Sequence, residues 1–326
     1  MHRWDFCVAV AASAMAMPLL AWGGQPQKDA GLPAGTVQPA PAPVETLGFR
    51  ETTSRMTVPV QVDGKGPYAF IVDTGAERSV MSKELADTLG LDAGQRARLV
   101  DFAGAGMVDT VKVPSLSAGS LRTTRLEAPS LAEANLGASG MLGIDALQGH
   151  RVVIDFDRQR MTLTTSRKRV WDDVVVGAEA RLGQLIVTKA SFEGHPISVI
   201  IDTGTWISVG NSAMRALAKR APRMIGPINV QSVTGRSFNT DFVTVNHIRI
   251  GDIRFDNFAL SFADVPPFER FGLRDQPALI LGMSSLKMFR RVEIDFVNRE
   301  IGFMLPRPPI SFSTACRSFA NCQSYR

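Results

Sequence analysis

Two aspartates stand in the same short setting, 129 residues apart: Asp73-Thr74-Gly75 and Asp202-Thr203-Gly204. A lone Asp-Thr-Gly reads as an ordinary turn at the end of a strand. A pair of them can do chemistry. Two carboxyl groups held within hydrogen-bond reach cannot both ionise, so they share one proton. The ionised member can take a proton from a water lying between them, while its partner donates to the carbonyl oxygen of a bound amide. Attack gives a tetrahedral diol, and proton return to the nitrogen expels the amine. Such a scheme needs no metal, no cofactor and no covalent intermediate.

The surrounding residues must bring the two turns together. Pro67-Tyr68-Ala69-Phe70-Ile71-Val72 leads into Asp73, and Pro196-Ile197-Ser198-Val199-Ile200-Ile201 leads into Asp202. Both runs end in β-branched residues, so each carboxylate closes a buried strand. The following glycine lets the chain turn sharply and lets another backbone come close. At the same offset Ser79-Val80 matches Ser208-Val209. Each copy then enters a helix-like run. Ser82 to Leu89 has Ser82 as cap and Gly90 as stop, and the second run is Asn211 to Arg220. Further on come Met141-Leu142-Gly143 and Ile280-Leu281-Gly282. Each is followed by a short helical stretch and a strand, Arg151 to Phe156 and Arg291 to Phe296. Alternating or apolar runs and many glycines lie between these landmarks. The expected fold is mostly β: two β-barrel lobes, 47–172 and 173–306, related by duplication about a pseudo-two-fold axis that sets Asp73 facing Asp202.

The ends read differently. His2 and Arg3 precede an apolar stretch from Phe6 to Leu20, and Ala21-Trp22-Gly23 offers small residues for cleavage. Residues 1–23 therefore read as a signal peptide, and the protein as exported, periplasmic or secreted. Residues 24–46, rich in Pro, Ala and Gly, read as a disordered spacer. Cys316 and Cys322, in the tail 307–326, read as a disulfide-closed loop in an oxidising compartment. Hydrophobic residues make up 45% and charged residues 21%, which excludes a wholly disordered chain. No apolar run reaches the roughly 18 residues of a spanning helix, so no membrane span is expected after signal cleavage. The net charge of +5 is scattered, with no basic block interleaved with aromatics, so no nucleic-acid partner is expected.

Here the chain resembles the aspartic proteases of the pepsin and retropepsin type, each half being similar to a bacterial retropepsin-like domain from Leu47 to Pro306. The resemblance implies Asp73 and Asp202 as the catalytic pair. It implies that Thr74 and Thr203 interlock across the axis and that Gly75 and Gly204 sit under the carboxyls. Leu142-Gly143 and Leu281-Gly282 would brace the turns from behind. Pepsins carry a hydroxyl straight after each Asp-Thr-Gly, which bonds the outer carboxylate oxygen. Here only Thr205 supplies one, opposite Ala76. On that basis Thr205 favours the charged form of Asp202 and Asp73 holds the proton more often. Flaps are expected around Phe102 to Met107, with Gly104 and Gly106 at the tip, and around Val233 to Ser237, with Gly235 at the turn.

Several features take blander readings. Gly104-Ala105-Gly106 lacks the strand, helix and Lys of a nucleotide loop. His150 and His195 read as surface residues, and no Gly-x-Ser-x-Gly turn accompanies them. Glu77 and Arg78 read as a solvated or ion-paired turn, Trp206 as core, and the stretch from Pro266 to Pro277 as a surface insertion edging the cleft. The implied activity is endopeptidase action on a peptide or protein substrate by a monomer. The alternatives are a site built only in a homodimer and a peptide-binding protein that does not cleave.

Overall fold

The computed structural model describes residues 45–48, 50–52, 55–164 and 173–306, with side chains from 56 onward. Residues 1–44 and 307–326 lie outside that range, and with them the signal peptide, nearly all of the spacer and the Cys316–Cys322 loop. The first described strand, Glu45–Gly48, pairs with Arg160–Thr164 and takes in Glu45 and Thr46 from the expected spacer.

Both halves are built alike. In the first, Arg55–Val62 and Lys65–Val72 form an antiparallel hairpin whose second strand delivers Asp73. Strand Gly140–Leu142 runs parallel beside it, setting Leu142 opposite Val72, and Val80–Ser82 pairs antiparallel on the other side. In the second, Gln184–Phe192 and His195–Ile201 form the hairpin that delivers Asp202. Ala278–Leu281 runs parallel to it, setting Leu281 opposite Ile201, and Val209–Gly210 takes the antiparallel place. The apolar residues before each aspartate (Phe70, Ile71, Val72 and Val199, Ile200, Ile201) are all buried. That burial is what anchors each turn, because apolar strand residues gain most where no water reaches them.

The halves share a floor. Arg151–Asp155 of the first pairs antiparallel with Arg291–Asp295 of the second, and Arg160–Thr164 and Glu300–Met304 flank them. Val152, Ile154, Val292, Ile294, Ile301 and Phe303 fill its covered face. Arg151 and Glu293 pair at 3.4 Å within this join, both side chains buried. His150 enters it half-buried, its Nδ1 shielded from solvent, and so is not a surface residue; His195 is exposed.

The first helix follows expectation. It spans Lys83–Leu89; the Ser82 hydroxyl accepts from Leu85 N at 3.1 Å, and Gly90 ends it in the left-handed conformation. The second is shorter than expected, only Ser212–Arg215, capped by Asn211. Beyond it the bonds tighten to Leu217 N→Met214 O and Ala218 N→Arg215 O. Arg215 and Lys219 are like charges four apart, and Pro222 disfavours helix at Ala221.

Glycines 143 and 282 sit where each active turn folds back. A Cβ on Gly143 would run into the backbone of Arg78, and one on Gly282 into that of Ile207. Gly282→Ala should therefore cost about 1–3 kcal/mol and lower the denaturation midpoint. Gly177→Ala, in a strand position with nothing near its Cβ, should stay within about 0.5 kcal/mol. Chemical denaturation of the two variants side by side checks this.

Candidate active site

The two turns meet. Thr74 Oγ1 donates to Ile201 O at 2.9 Å, and Thr203 Oγ1 donates to Val72 O at 2.7 Å. In return Thr74 N donates to Thr203 Oγ1 at 3.1 Å, and Thr203 N to Thr74 Oγ1 at 3.2 Å. Both threonines are buried. Each hydroxyl thus satisfies two backbone groups of the other half that would otherwise be orphaned.

That crossing sets the carboxyls. The Asp73 carboxyl lies against Gly204, and the Asp202 carboxyl against Gly75, so closely that a Cβ at either glycine would overlap it. Asp73 Oδ1 accepts from Gly75 N at 2.7 Å and Ala76 N at 2.9 Å. Asp202 Oδ1 accepts from Gly204 N at 2.8 Å and Thr205 N at 3.2 Å. Asp73 N and Asp202 N donate to Leu142 O and Leu281 O at 3.0 and 3.1 Å, holding both turns to the parallel strands behind them.

Serines repeated at the same offset brace the turns further, a role the sequence reading did not assign them. Ser79 Oγ accepts from Gly143 N at 3.1 Å and donates to Asp145; Ser208 Oγ accepts from Gly282 N at 3.1 Å and bonds Ser285. The Gln184 amide nitrogen also bonds Gly75 O from the second lobe, while its Oε1 is buried without a partner among the described residues. No sequence signal marked Gln184.

Thr205 departs from expectation. Its hydroxyl points to Ile207 O at 3.4 Å, and only its backbone N–H reaches Asp202. Burial, then the neighbouring Asp73 charge, push the Asp202 carboxyl well above the usual carboxylate range. The Thr205 hydroxyl therefore does not hold the charged form of Asp202 as expected, and the raised value marks two coupled carboxyls that share a proton.

Two hairpins roof the cleft. Ala97–Asp101 and Gly104–Val108 turn through Phe102 and Ala103, with Asp101 opposite Gly104. Gly106 pairs with Leu99 inside the strand and is not at the tip, because the two-residue turn closes before it. Arg223–Gln231 and Ser237–Val245 form the longer second hairpin, with Gly235 at positive φ in its loop. The tips cross. Phe102 packs on the second lobe's cluster around Phe268 and Phe271, and Val233 packs on the first lobe's cluster around Leu136 and Met141. Asp101, its side chain buried, accepts from Thr234 Oγ1 and from Arg236 Nη2 at 3.3 Å. Beneath lies a cleft of about 1070 Å³ lined by Asp73, Asp202 and both tips. Helix Pro266–Arg270 edges it. This stretch is more than a surface insertion, since Phe268 and Leu273 are buried. Glu77 is ion-paired, to Arg270 at 2.8 and 3.0 Å. Trp206 is no core residue: it is 41% exposed and lines the cleft.

Comparison with known proteins finds an aspartyl protease family match in each half of the chain. A family model described as "gag-polyprotein putative aspartyl protease" matches residues 58–149, and one described as "Aspartyl protease" matches residues 188–285. The chain belongs to the aspartic proteases of pepsin and retropepsin type. Each match covers one of the two turns. Among solved structures, the aspartic proteinase from Irpex lacteus is similar at 13% identity, over 83% of this chain and 99% of that one, with a TM-score of 0.46. No curated protein matched.

Two outcomes follow for this aspartic protease. At acid pH the folded and unfolded chains both carry a proton on Asp202. As pH rises past the ordinary carboxylate value, the unfolded chain releases it while the folded chain still holds it, so stability falls until the raised native value is passed. Asp202→Asn should remove that slope, gaining on the wild type from mildly acid pH upward; urea midpoints across pH check it. Asp101→Asn should speed amide exchange at Ser232 to Arg236 on the opposite hairpin as well as at its own tip. Hydrogen-exchange mass spectrometry of the full chain reads both tips at once.

Proposed function

We propose that the protein is an endopeptidase that hydrolyses peptide bonds with a water activated between Asp73 and Asp202. The observation that carries this reading is the reciprocal seating of the two carboxyls against Gly204 and Gly75 in a single chain. It favours a site complete within the monomer over one needing a second copy.

The steps follow from the surroundings. Asp73 is half-buried and has the shorter pair of backbone donors, so it is the ionised member. In this reading Asp202, the more buried of the two, is the protonated member. Asp73 takes a proton from the water, whose oxygen bonds the substrate carbonyl carbon, while Asp202 gives its proton to the carbonyl oxygen. The diol returns a proton to the amide nitrogen, the C–N bond breaks, and acid and amine leave. The two protons belong to the pair, which titrates as a unit. Thr74, Thr203, Gly75 and Gly204 position the carboxyls. Leu142-Gly143 and Leu281-Gly282 support them, and Phe102 and Val233 with their hairpins close over an extended peptide. Export through residues 1–23 is part of the proposal, since His2 and Arg3 before the apolar run Phe6 to Leu20 have the build of a signal peptide.

Asp73→Asn and Asp202→Asn should each reduce cleavage of a peptide mixture by on the order of 10³-fold. Loss with only one of them would point to a homodimeric site, and a wild type that binds peptides without cutting them would point to a binding protein. A statine-type inhibitor should raise the thermal midpoint of the wild type in proportion to its occupancy.

A further inference from the structure

Because the halves repeat, every position beside Asp73 has a counterpart beside Asp202. Glu77 and Trp206 are such a pair, each the fourth residue after its aspartate. Their backbones do the same work: Asp145 N donates to Glu77 O at 3.3 Å, and Ser284 N donates to Trp206 O at 2.8 Å. Both line the cleft, one contributed by each half of the repeat. Their side chains have nothing in common.

On one side Glu77 is held by the Arg270 fork, from the helix that edges the second lobe. An apolar substrate group placed there would strip water from both charges without replacing it. On the other side the indole of Trp206 keeps 41% of its surface exposed. The Lys287 ammonium stands 4.8 Å from its ring centroid. Ile207, Ile228 and Val230, each half-buried, line the same cleft. A large apolar side chain left uncovered inside a cleft is the mark of a surface that a ligand covers.

We propose that Trp206 is a specificity-determining residue that selects an aromatic or large apolar substrate side chain on one side of the scissile bond only, the mirrored position being kept polar by Glu77 and Arg270. This rests on the peptide-cleft reading given above and names the class of peptide that the cleft takes. The ring of the substrate would lie against the indole, adding aromatic contact to the area it buries.

The test uses the full chain and a diverse synthetic peptide mixture. Product mapping with the wild type should find aromatic or large apolar residues enriched at a single position on one side of the cut. Trp206→Ala should lower kcat/KM on those peptides by roughly tenfold or more, mainly through KM, and Trp206→Phe should restore most of it. Unchanged kcat/KM in Trp206→Ala, or equal enrichment at the mirrored position, would overturn the inference. The same mixture passed over immobilised Asp202→Asn chain reads preference without turnover. Aromatic enrichment that is lost on adding Trp206→Ala supports the inference even if the wild type cuts nothing, an outcome that would fell the endopeptidase reading alone. Enrichment that survives Trp206→Ala overturns it.

Discussion

The crossed hydroxyls of Thr74 and Thr203 are the contact on which the rest depends. Four buried backbone groups, the carbonyls of Val72 and Ile201 and the N–H groups of the threonines themselves, find their partners only across the lobes. In a lone lobe these groups would face water, so packing the lobes must pair them as it buries them. Joining the lobes and seating the carboxyls are thus one event. Gly75 and Gly204 follow as a necessity, since any side chain there would displace the carboxyl it faces.

Near-symmetry of the backbone coexists with asymmetry of the chemistry. Asp202 is buried and Asp73 half-buried, although both accept two backbone N–H bonds. That difference in solvent contact disfavours charge on Asp202 more than on Asp73, because burial penalises the charged form. The same device operates further out, where an ion pair on one side faces an exposed indole on the other. Duplication supplies the frame, and single residues at matched positions break its symmetry.

Much of this was legible in the sequence because it rests on local chemistry repeated twice. The Asp-Thr-Gly turns, the apolar strands before them, the Leu-Gly pairs and the Ser82 cap all announce themselves through residue type and spacing. What escaped depends on distant contacts or on rotors. The Thr205 hydroxyl takes Ile207 O, a choice that no residue count reveals. Asp101 meets Thr234 and Arg236 across 133 and 135 residues, so neither hairpin predicts the contact alone. Trp206 reads as core by type, since Trp is highly buried on average, yet its place beside the carboxyls leaves it in the cleft. Two glycines close together suggest a turn with both at its tip, yet the turn closes between Asp101 and Gly104 and leaves Gly106 in the strand.

The floor has a temporal implication. Its central pairing joins Arg151–Asp155 to Arg291–Asp295, and Glu300–Met304 completes the second lobe's share of it. A ribosome-bound chain that has made the first lobe, and even the Asp202 turn, still lacks the strands that hold the halves face to face. Closure of the cleft would then wait until Arg291–Asp295 and Glu300–Met304 have both been made and paired.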